Sequence, residues 1–125
     1  MSRDPYMSYR LAWERRWREA AQRRQERTRM ARRMAESCTR LLVDRFGAQR
    51  VYLFGSLVSG GRPHNRSDID LAVEGLASGG VYWRALAELW RCLPPGIQLD
   101  LVPIEDADPE LVERILKEGE LLHEE

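Results

Sequence analysis

From Tyr9 to Phe46 the chain contains no glycine and no proline. Alanine, arginine, glutamate, methionine and leucine dominate this stretch, and all of them favour the helix. A single helix of ~38 residues would be ~57 Å long at 1.5 Å per residue, which is more than the width of a small domain. The sequence therefore predicts a helix that either breaks near residues 22–29 or projects beyond the folded body. Gly47 is expected to end it.

Apolar residues form two separate groups along this predicted helix. Those in its second half recur at three- and four-residue steps, the spacing of a face packed on a core. In the first half a shorter stripe contains Trp13 and Trp17, and residues 22–29 between the groups offer nothing to bury. Because interfaces favour tryptophan and arginine, we expect this half to bind a partner or a second copy of the chain. The residues of the second-half group are Ala31, Met34, Ala35, Cys38, Leu41, Leu42 and Phe46.

Charge is divided unequally along a chain whose formal net charge is zero. Residues 1–50 contain fourteen arginines and six acidic residues, a net charge of +8, and residues 51–125 carry the compensating −8. A basic first segment is typical of contact with something anionic. The alternative is that this segment packs against the acidic half of its own chain or of a second copy.

The length of 125 residues corresponds to one ordinary domain. No run approaches the ~20 apolar residues that span a bilayer, and the first residues lack the apolar segment of a signal peptide, so we expect a soluble, cytoplasmic protein without membrane contact. Cys38 and Cys92 are too few for a disulfide framework or a four-ligand zinc site. We expect both to be inert thiols on apolar helix faces.

After Gly47 the pattern changes to short strands and helices separated by turns. Strands are predicted at residues 51–54, 68–73 and 97–102, with a short edge strand at 120–122. Helices are predicted at residues 82–92 and 109–118, the second beginning at the Asp108-Pro109 pair. Trp83 and Trp90 share one face of the first of these helices and are expected in the core. We predict an Arg-rich helical extension over residues 1–47 and an α/β (α+β) domain over residues 48–125.

Two aspartates in the second predicted strand are the first indication of chemistry. Asp68 and Asp70 are two residues apart, so both carboxylates point to the same face of the strand. Adjacent carboxylates repel each other, and each resists ionisation unless a cation lies between them. Mg²⁺ commonly binds through one or two carboxylates together with substrate phosphates. The strand is otherwise apolar, and this makes a bound metal a reasonable hypothesis.

A third aspartate, Asp100, is likewise centred in an apolar strand. If that strand lies beside the one carrying Asp68 and Asp70, three carboxylates converge, and such a cluster can hold two metals ~3.5–4 Å apart for phosphoryl transfer. Upstream, Gly55 and Ser56 follow the first strand. A turn of this kind, with free backbone N–H groups, a hydroxyl and no side chain on the glycine, can cradle a triphosphate.

In combination these residues resemble the signature of a known family. The pattern Gly55-Ser56-x3-Gly60, followed by Ser67-Asp-Ile-Asp-Leu71, is similar to that of the DNA polymerase β-like nucleotidyltransferase superfamily. The short length indicates its minimal nucleotidyltransferase (MNT) branch. The resemblance covers roughly residues 48–122 and implies a small mixed β-sheet flanked by helices, with transfer of a nucleoside monophosphate from a triphosphate to a hydroxyl.

The resemblance also implies roles for individual residues. Gly55 and Ser56 would hold the triphosphate, and Asp68 and Asp70 would bind Mg²⁺. Asp100 would complete the metal site and help to deprotonate the acceptor hydroxyl. All three aspartates are therefore candidate catalytic residues and metal ligands, with ATP as the expected substrate.

Two features depart from the family pattern. Many members carry a basic residue just after the Gly-Ser pair, whereas residues 57–59 of this chain provide none. Arg62 or Arg66, in the loop that follows, is the candidate replacement. The chain also lacks the second domain with which larger members hold base and acceptor, so a partner or a second copy is expected to complete the site.

Three functions are compatible with these residues. Minimal nucleotidyltransferases of this kind are frequently antitoxins that transfer AMP from ATP to a tyrosine of a HEPN ribonuclease toxin, and we take this as the leading hypothesis. The first alternative is a stand-alone transferase acting on a small-molecule hydroxyl. The second is a catalytically silent module that binds a protein or RNA, although RNA contact is not favoured because the three aspartates are retained.

Overall fold

The computed structural model describes residues 5–59, 67–76 and 79–125, the side chains of Ser59 and Ser67 excepted. Helices and strands alternate along this part of the chain, as the sequence predicts. A 3₁₀ turn at Ile104–Asp106 follows the third strand. The elements are α1 (Met7–Phe46), β1 (Arg50–Phe54), α2 (Ser56–Ser59), β2 (Ser67–Glu74), α3 (Val81–Cys92), β3 (Ile97–Pro103), α4 (Pro109–Glu118) and β4 (Glu120–Glu124).

The strands form one mixed sheet in the order β3-β2-β1-β4. β1 is antiparallel to both β2 and β4, whereas β2 and β3 are parallel. The parallel pair is connected through α3, as a crossover between parallel strands requires. The prediction of a small mixed sheet flanked by helices is confirmed, and so is a last strand at the sheet edge.

The long helix is continuous. α1 contains 40 residues and is therefore ~60 Å long. It does not break near residues 22–29, and none of its residues before Ala31 is buried, so the projecting arrangement is the one observed. It ends at Gly47 as predicted, where φ is +71° and the backbone N–H donates to the carbonyl of Val43.

The core lies between the second half of α1, helix α3 and one face of the sheet. Alternate residues of β2, Ile69, Leu71 and Val73, are fully buried on this face. Because side chains alternate along a strand, the residues between them point to the opposite face. The sheet therefore has one face covered by α1 and α3 and a second face on which Asp68 and Asp70 lie. The α1 residues of this core are Ala31, Ala35, Cys38 and Leu42.

Ion pairs join the packed half of α1 to the acidic part of the chain. Arg32 lies 2.6 Å from Glu120 at the start of β4, and Arg45 lies 3.0 Å from Glu88 on α3. Part of the basic segment therefore does pack against its own acidic half, one of the two possibilities left open by the charge pattern.

Two predictions of burial are wrong. Trp83 and Trp90 are 68% and 57% exposed, because α3 buries the face that carries Ala85 and Leu89 instead. Cys92, at the end of the same helix, is exposed, whereas Cys38 is buried. The spacing of apolar residues is the same in a helix that covers the edge of a sheet as in a helix that is buried on two sides, so it could not show which residues are exposed.

Within the ranges described, no helix is both long and apolar enough to cross a membrane.

Candidate active site

The three aspartates lie on two neighbouring parallel strands. Asp70 of β2 is aligned with Asp100 of β3, and Asp68 is aligned with Gln98 two positions earlier in the register. Aligned residues of neighbouring strands point to the same face, and so do residues two apart on one strand. Asp68, Asp70 and Asp100, hereafter the carboxylate cluster, therefore share one face of the sheet.

The members of the carboxylate cluster repel one another electrostatically. The pKa of Asp70 is raised above its ordinary value, first by burial and then by the neighbouring charges of Asp100 and Asp68. One side-chain oxygen of Asp68, Oδ1, is buried and accepts no hydrogen bond from the described part of the chain. A buried carboxylate oxygen without a donor is costly, and a cation would relieve both this cost and the repulsion.

The bend between β1 and α2, formed by Gly55 and Ser56 and hereafter the Gly-Ser bend, packs directly on this cluster. Phe54, the last residue of β1, is aligned with Asp70 across the antiparallel pair. Gly55 follows with φ of +80°, a conformation that other residues rarely adopt. A Cβ at position 55 would collide with Oδ2 of Asp70. The glycine is therefore required by both its backbone conformation and the closeness of the carboxylate.

Two cavities border these residues. One, of about 350 Å³, is lined by Asp70 and Asp100 together with Tyr82 and Trp90 of α3, and we call it the aromatic cavity. The other, of about 480 Å³, is lined by the Gly-Ser bend and by α4, and we call it the bend cavity. Phe54 and Leu111 line both, so the two cavities adjoin.

The aromatic residues of α3 occupy the free edge of β3. The hydroxyl of Tyr82 donates to the carbonyl of Leu101 at 2.8 Å, and Nε1 of Trp90 donates to the carbonyl of Leu99 at 3.1 Å. These bonds satisfy backbone groups that an edge strand leaves unpaired. Burial and the charge of Asp100 both raise the pKa of Tyr82, which is consistent with a position beside the carboxylate cluster.

The donor set fits a divalent cation that is bound together with a substrate. Over the described ranges, no three His, Cys, Asp or Glu side chains are grouped so that they could hold a metal. Mg²⁺ needs only one or two protein carboxylates when phosphate oxygens and water supply its other ligands. The unpartnered Oδ1 of Asp68 and the raised pKa of Asp70 are the observations that favour such an ion.

Sequence reasoning missed three residues at these cavities. Tyr82 and Trp90 could not be distinguished from core residues, because the apolar residues of α3 have the same helical spacing whether they face the core or a cavity. Arg114 lines the bend cavity from α4. In the sequence, Arg114 stands out only as a basic residue within a strongly acidic segment. This feature does not indicate which surface α4 packs against. Arg62 and Arg66, the bases expected near the Gly-Ser bend, lie outside the described residues, as does Gly60 of the motif.

Comparison with known proteins identifies the family. A family model described as "Polymerase beta, Nucleotidyltransferase" matches residues 36–125. The chain belongs to this nucleotidyltransferase family. The match covers all of the sheet and the last turns of α1, and it leaves the first 35 residues outside. No match was found among the curated proteins.

Solved structures of toxin–antitoxin systems are similar to this nucleotidyltransferase. A toxin–antitoxin crystal structure with AMP-PNP is 30% identical, with a TM-score of 0.59, over 72% of this chain and 73% of the other. The toxin–antitoxin MntA-HepT is 25% identical, with a TM-score of 0.56, over 75% and 73%. A mutant of the same system is 26% identical, with a TM-score of 0.58, over 73% of each chain. These neighbours confirm the resemblance to minimal nucleotidyltransferases of the MNT/HEPN antitoxin type.

Proposed function

We propose that this nucleotidyltransferase acts as an antitoxin, transferring AMP from ATP to a tyrosine hydroxyl of a HEPN ribonuclease toxin. The observation that carries the proposal is the alignment of Asp70 with Asp100 on one sheet face, directly against the Gly-Ser bend. This arrangement provides carboxylates for a cation and a close-packed glycine turn for phosphates. The toxin–antitoxin neighbours, one of them with AMP-PNP, support the choice of nucleotide and partner.

Each side chain has a role in the proposed reaction. The acceptor oxygen forms a bond to the α-phosphorus of ATP, the bond from that phosphorus to the α–β bridging oxygen breaks, and pyrophosphate leaves. Asp68 and Asp70, with Asp100 beside them, would hold a Mg²⁺ ion, whose positive charge would offset the negative charge that develops on the phosphates. The hydroxyl proton passes to a carboxylate, and Asp100 is the exposed member of the cluster that an acceptor can reach. Gly55 and Ser56 hold the triphosphate.

The projecting part of α1, residues 7–30 and hereafter the arm, is the proposed docking surface for the toxin. Trp13 and Trp17 are stacked with ring centroids 5.7 Å apart, and they are 57% and 64% exposed. At 100° per residue they lie on the same side of α1 as Ala31 and Ala35, which are buried. The helix therefore presents one continuous face, of which the second half is covered by the sheet and α3 and the first half is left for a partner.

Self-association through the arm is the alternative to toxin binding. The arm is rich in arginine, so two arms side by side would repel each other, whereas an acidic surface would attract either of them. This favours a different protein, or the acidic body of a second copy, over a simple pairing of arms.

The division of the chain into an extension, residues 1–47, and a transferase domain, residues 48–125, remains a prediction. The cytoplasmic location also remains a prediction.

The direct test is adenylylation of the toxin. The chain is incubated with Mg²⁺, ATP labelled at the α-phosphate, and the purified product of the adjacent gene, and label is sought on a tyrosine of that product. The wild type and Glu113→Ala, a control that removes an exposed acid from α4, are expected to transfer AMP. Asp68→Ala and Asp100→Ala are expected not to.

Other outcomes favour the alternatives. Label on a small hydroxyl compound, with none on any toxin, would support the stand-alone transferase. Equal labelling of the toxin by the wild type and by Asp68→Ala would contradict a catalytic role for the carboxylate cluster. Salt-sensitive RNA binding without any transfer would support the silent binding module, because phosphate contacts release counterions.

A further inference from the structure

Arg114 is the residue that the reaction as proposed leaves without a task. It lies on α4 and lines the bend cavity of about 480 Å³ together with Gly55 and Ser56. We propose that Arg114 binds the β- and γ-phosphates of the nucleotide, as the cation that α4 contributes to the cavity lined by the Gly-Ser bend. This inference depends on the proposed function, because it assumes that ATP is the substrate.

The surroundings of Arg114 leave its charge available. Its side chain makes no hydrogen bond and no ion pair with any residue that the structure describes. Glu110 and Glu118 lie one helical turn away on either side, where arginine and glutamate commonly pair, yet neither does so with Arg114. An exposed guanidinium at the wall of a cavity is therefore free to contact a bound anion, to which its planar fork can donate two hydrogen bonds.

The charge of the site favours such a cation. A triphosphate placed against three carboxylates is repelled by them unless cations lie between or around the two groups. A metal at the carboxylate cluster offsets charge on the side of the aromatic cavity. Residues 57–59, which follow the Gly-Ser bend, supply no base. Arg114 lines the same cavity as the bend and would supply the missing charge from outside the usual motif.

Glu118 provides an opposing charge in the same cavity. It lies one turn after Arg114 and also lines the bend cavity. Its carboxylate disfavours a phosphate there, so the two side chains have opposite expected effects on nucleotide affinity. A general disturbance of α4 would change nucleotide affinity in the same direction for both variants, so opposite changes would point to the two side chains themselves.

Equilibrium binding of nucleotides, measured by calorimetry on the full chain with Mg²⁺, tests the proposal without requiring turnover. Arg114→Gln is expected to bind ATP about tenfold more weakly than the wild type, with AMP binding unchanged, because a charge-assisted bond to the outer phosphates is lost. Glu118→Gln is expected to bind ATP more tightly. Lys117→Gln is the matched control: it removes the same charge from the same helix but does not line the cavity.

The outcomes separate this inference from the proposed function. If the wild type binds ATP and Arg114→Gln binds it equally well, Arg114 is not a phosphate ligand and the proposed function is unaffected. If the wild type binds no ATP, with or without the toxin, both fail. Equal losses for ATP and AMP would also contradict the proposal, since AMP lacks the phosphates that Arg114 is proposed to hold. A circular-dichroism melting curve for each variant verifies that α4 is intact.

Discussion

The carboxylate of Asp70 occupies the space that a side chain at position 55 would need. The Gly-Ser bend and the carboxylate cluster are thus packed in contact, although fifteen positions separate these two residues in the sequence. The contact depends on the antiparallel pairing of β1 with β2, which aligns Phe54 with Asp70. A phosphate held at the bend is consequently next to any cation held by the aspartates, as nucleotidyl transfer requires.

Gly55→Ala is expected to destabilise the protein by about 2 kcal/mol or more, through a left-handed backbone and a collision with Asp70. It is also expected to abolish transfer, because the bend and the carboxylate must both move. The free energy of unfolding from urea titration is the measurement.

Gly96→Ala is the matched control for that variant. Gly96 has φ of +90° but no atom within 4 Å of the position of its Cβ. Its replacement therefore imposes the backbone cost alone, about 1 to 2 kcal/mol. Equal losses of stability for the two variants would contradict the account of the contact between Gly55 and Asp70.

Asp70→Asn is expected to be more stable than the wild type at neutral pH in the absence of metal. The pKa of Asp70 is raised in the folded state by burial and by Asp100 and Asp68. The folded protein thus keeps a proton that the unfolded chain has lost, and stability falls as the pH rises through that window. The advantage of the variant should disappear well below pH 3.8, the ordinary pKa of an aspartate, where the carboxyl is protonated in both states.

Added Mg²⁺ should reduce or reverse the difference in stability between Asp70→Asn and the wild type. An ion that binds the folded state stabilises it, so Mg²⁺ with ATP is expected to raise the melting temperature of the wild type more than that of Asp70→Asn. Calorimetric melting curves with and without the ion measure the difference. An equal rise for both proteins would show that Asp70 does not take part in binding.

The two cysteines are expected to differ in reactivity. Burial, assisted by the nearby Cys92, raises the pKa of Cys38 to about 11, whereas Cys92 itself is exposed. At about pH 8 iodoacetamide should therefore add once to the folded protein, and not at all to Cys92→Ser. Stability should fall as the pH rises from the ordinary value of 9.0 towards 11, since the unfolded thiol ionises first. Two adducts on the folded protein, found by mass spectrometry, would contradict the burial of Cys38.

Replacement of both arm tryptophans, Trp13→Gln with Trp17→Gln, should weaken toxin binding without unfolding the domain. Both side chains are exposed, so the expected change in stability is within about 0.5 kcal/mol. Trp83→Gln is the control, because Trp83 is equally exposed but lies on α3. Calorimetric titration of the toxin should show weaker binding for the double variant alone. Unchanged affinity would place the toxin elsewhere.

Local pattern was sufficient to predict the elements and the family, since residue period, glycine turns and the Asp68-Ile-Asp70 motif are all read over short windows. The sequence predicts that Asp100 lies near Asp68 and Asp70 only if its strand is the neighbour of β2. Which strand lies beside β2 depends on the chain topology, which a local pattern does not show. Arg114 could not be found in this way. Its place at the bend cavity depends on the packing of α4 against β1, and no local pattern records that contact. The exposure of Trp83 and Trp90 was hidden for the same reason.

The central claim is that Asp68 and Asp70, with Asp100 beside them, hold a divalent cation next to the Gly-Ser bend. The most direct measurement is a crystal structure with Mn²⁺ and a non-hydrolysable ATP analogue, in which anomalous scattering locates the ion. The account predicts a peak about 2.1–2.3 Å from oxygens of Asp68 and Asp70, with Asp100 beside it and the phosphates at the bend. Bound nucleotide with no ion at these aspartates, or an ion held only by other acidic residues, would contradict it.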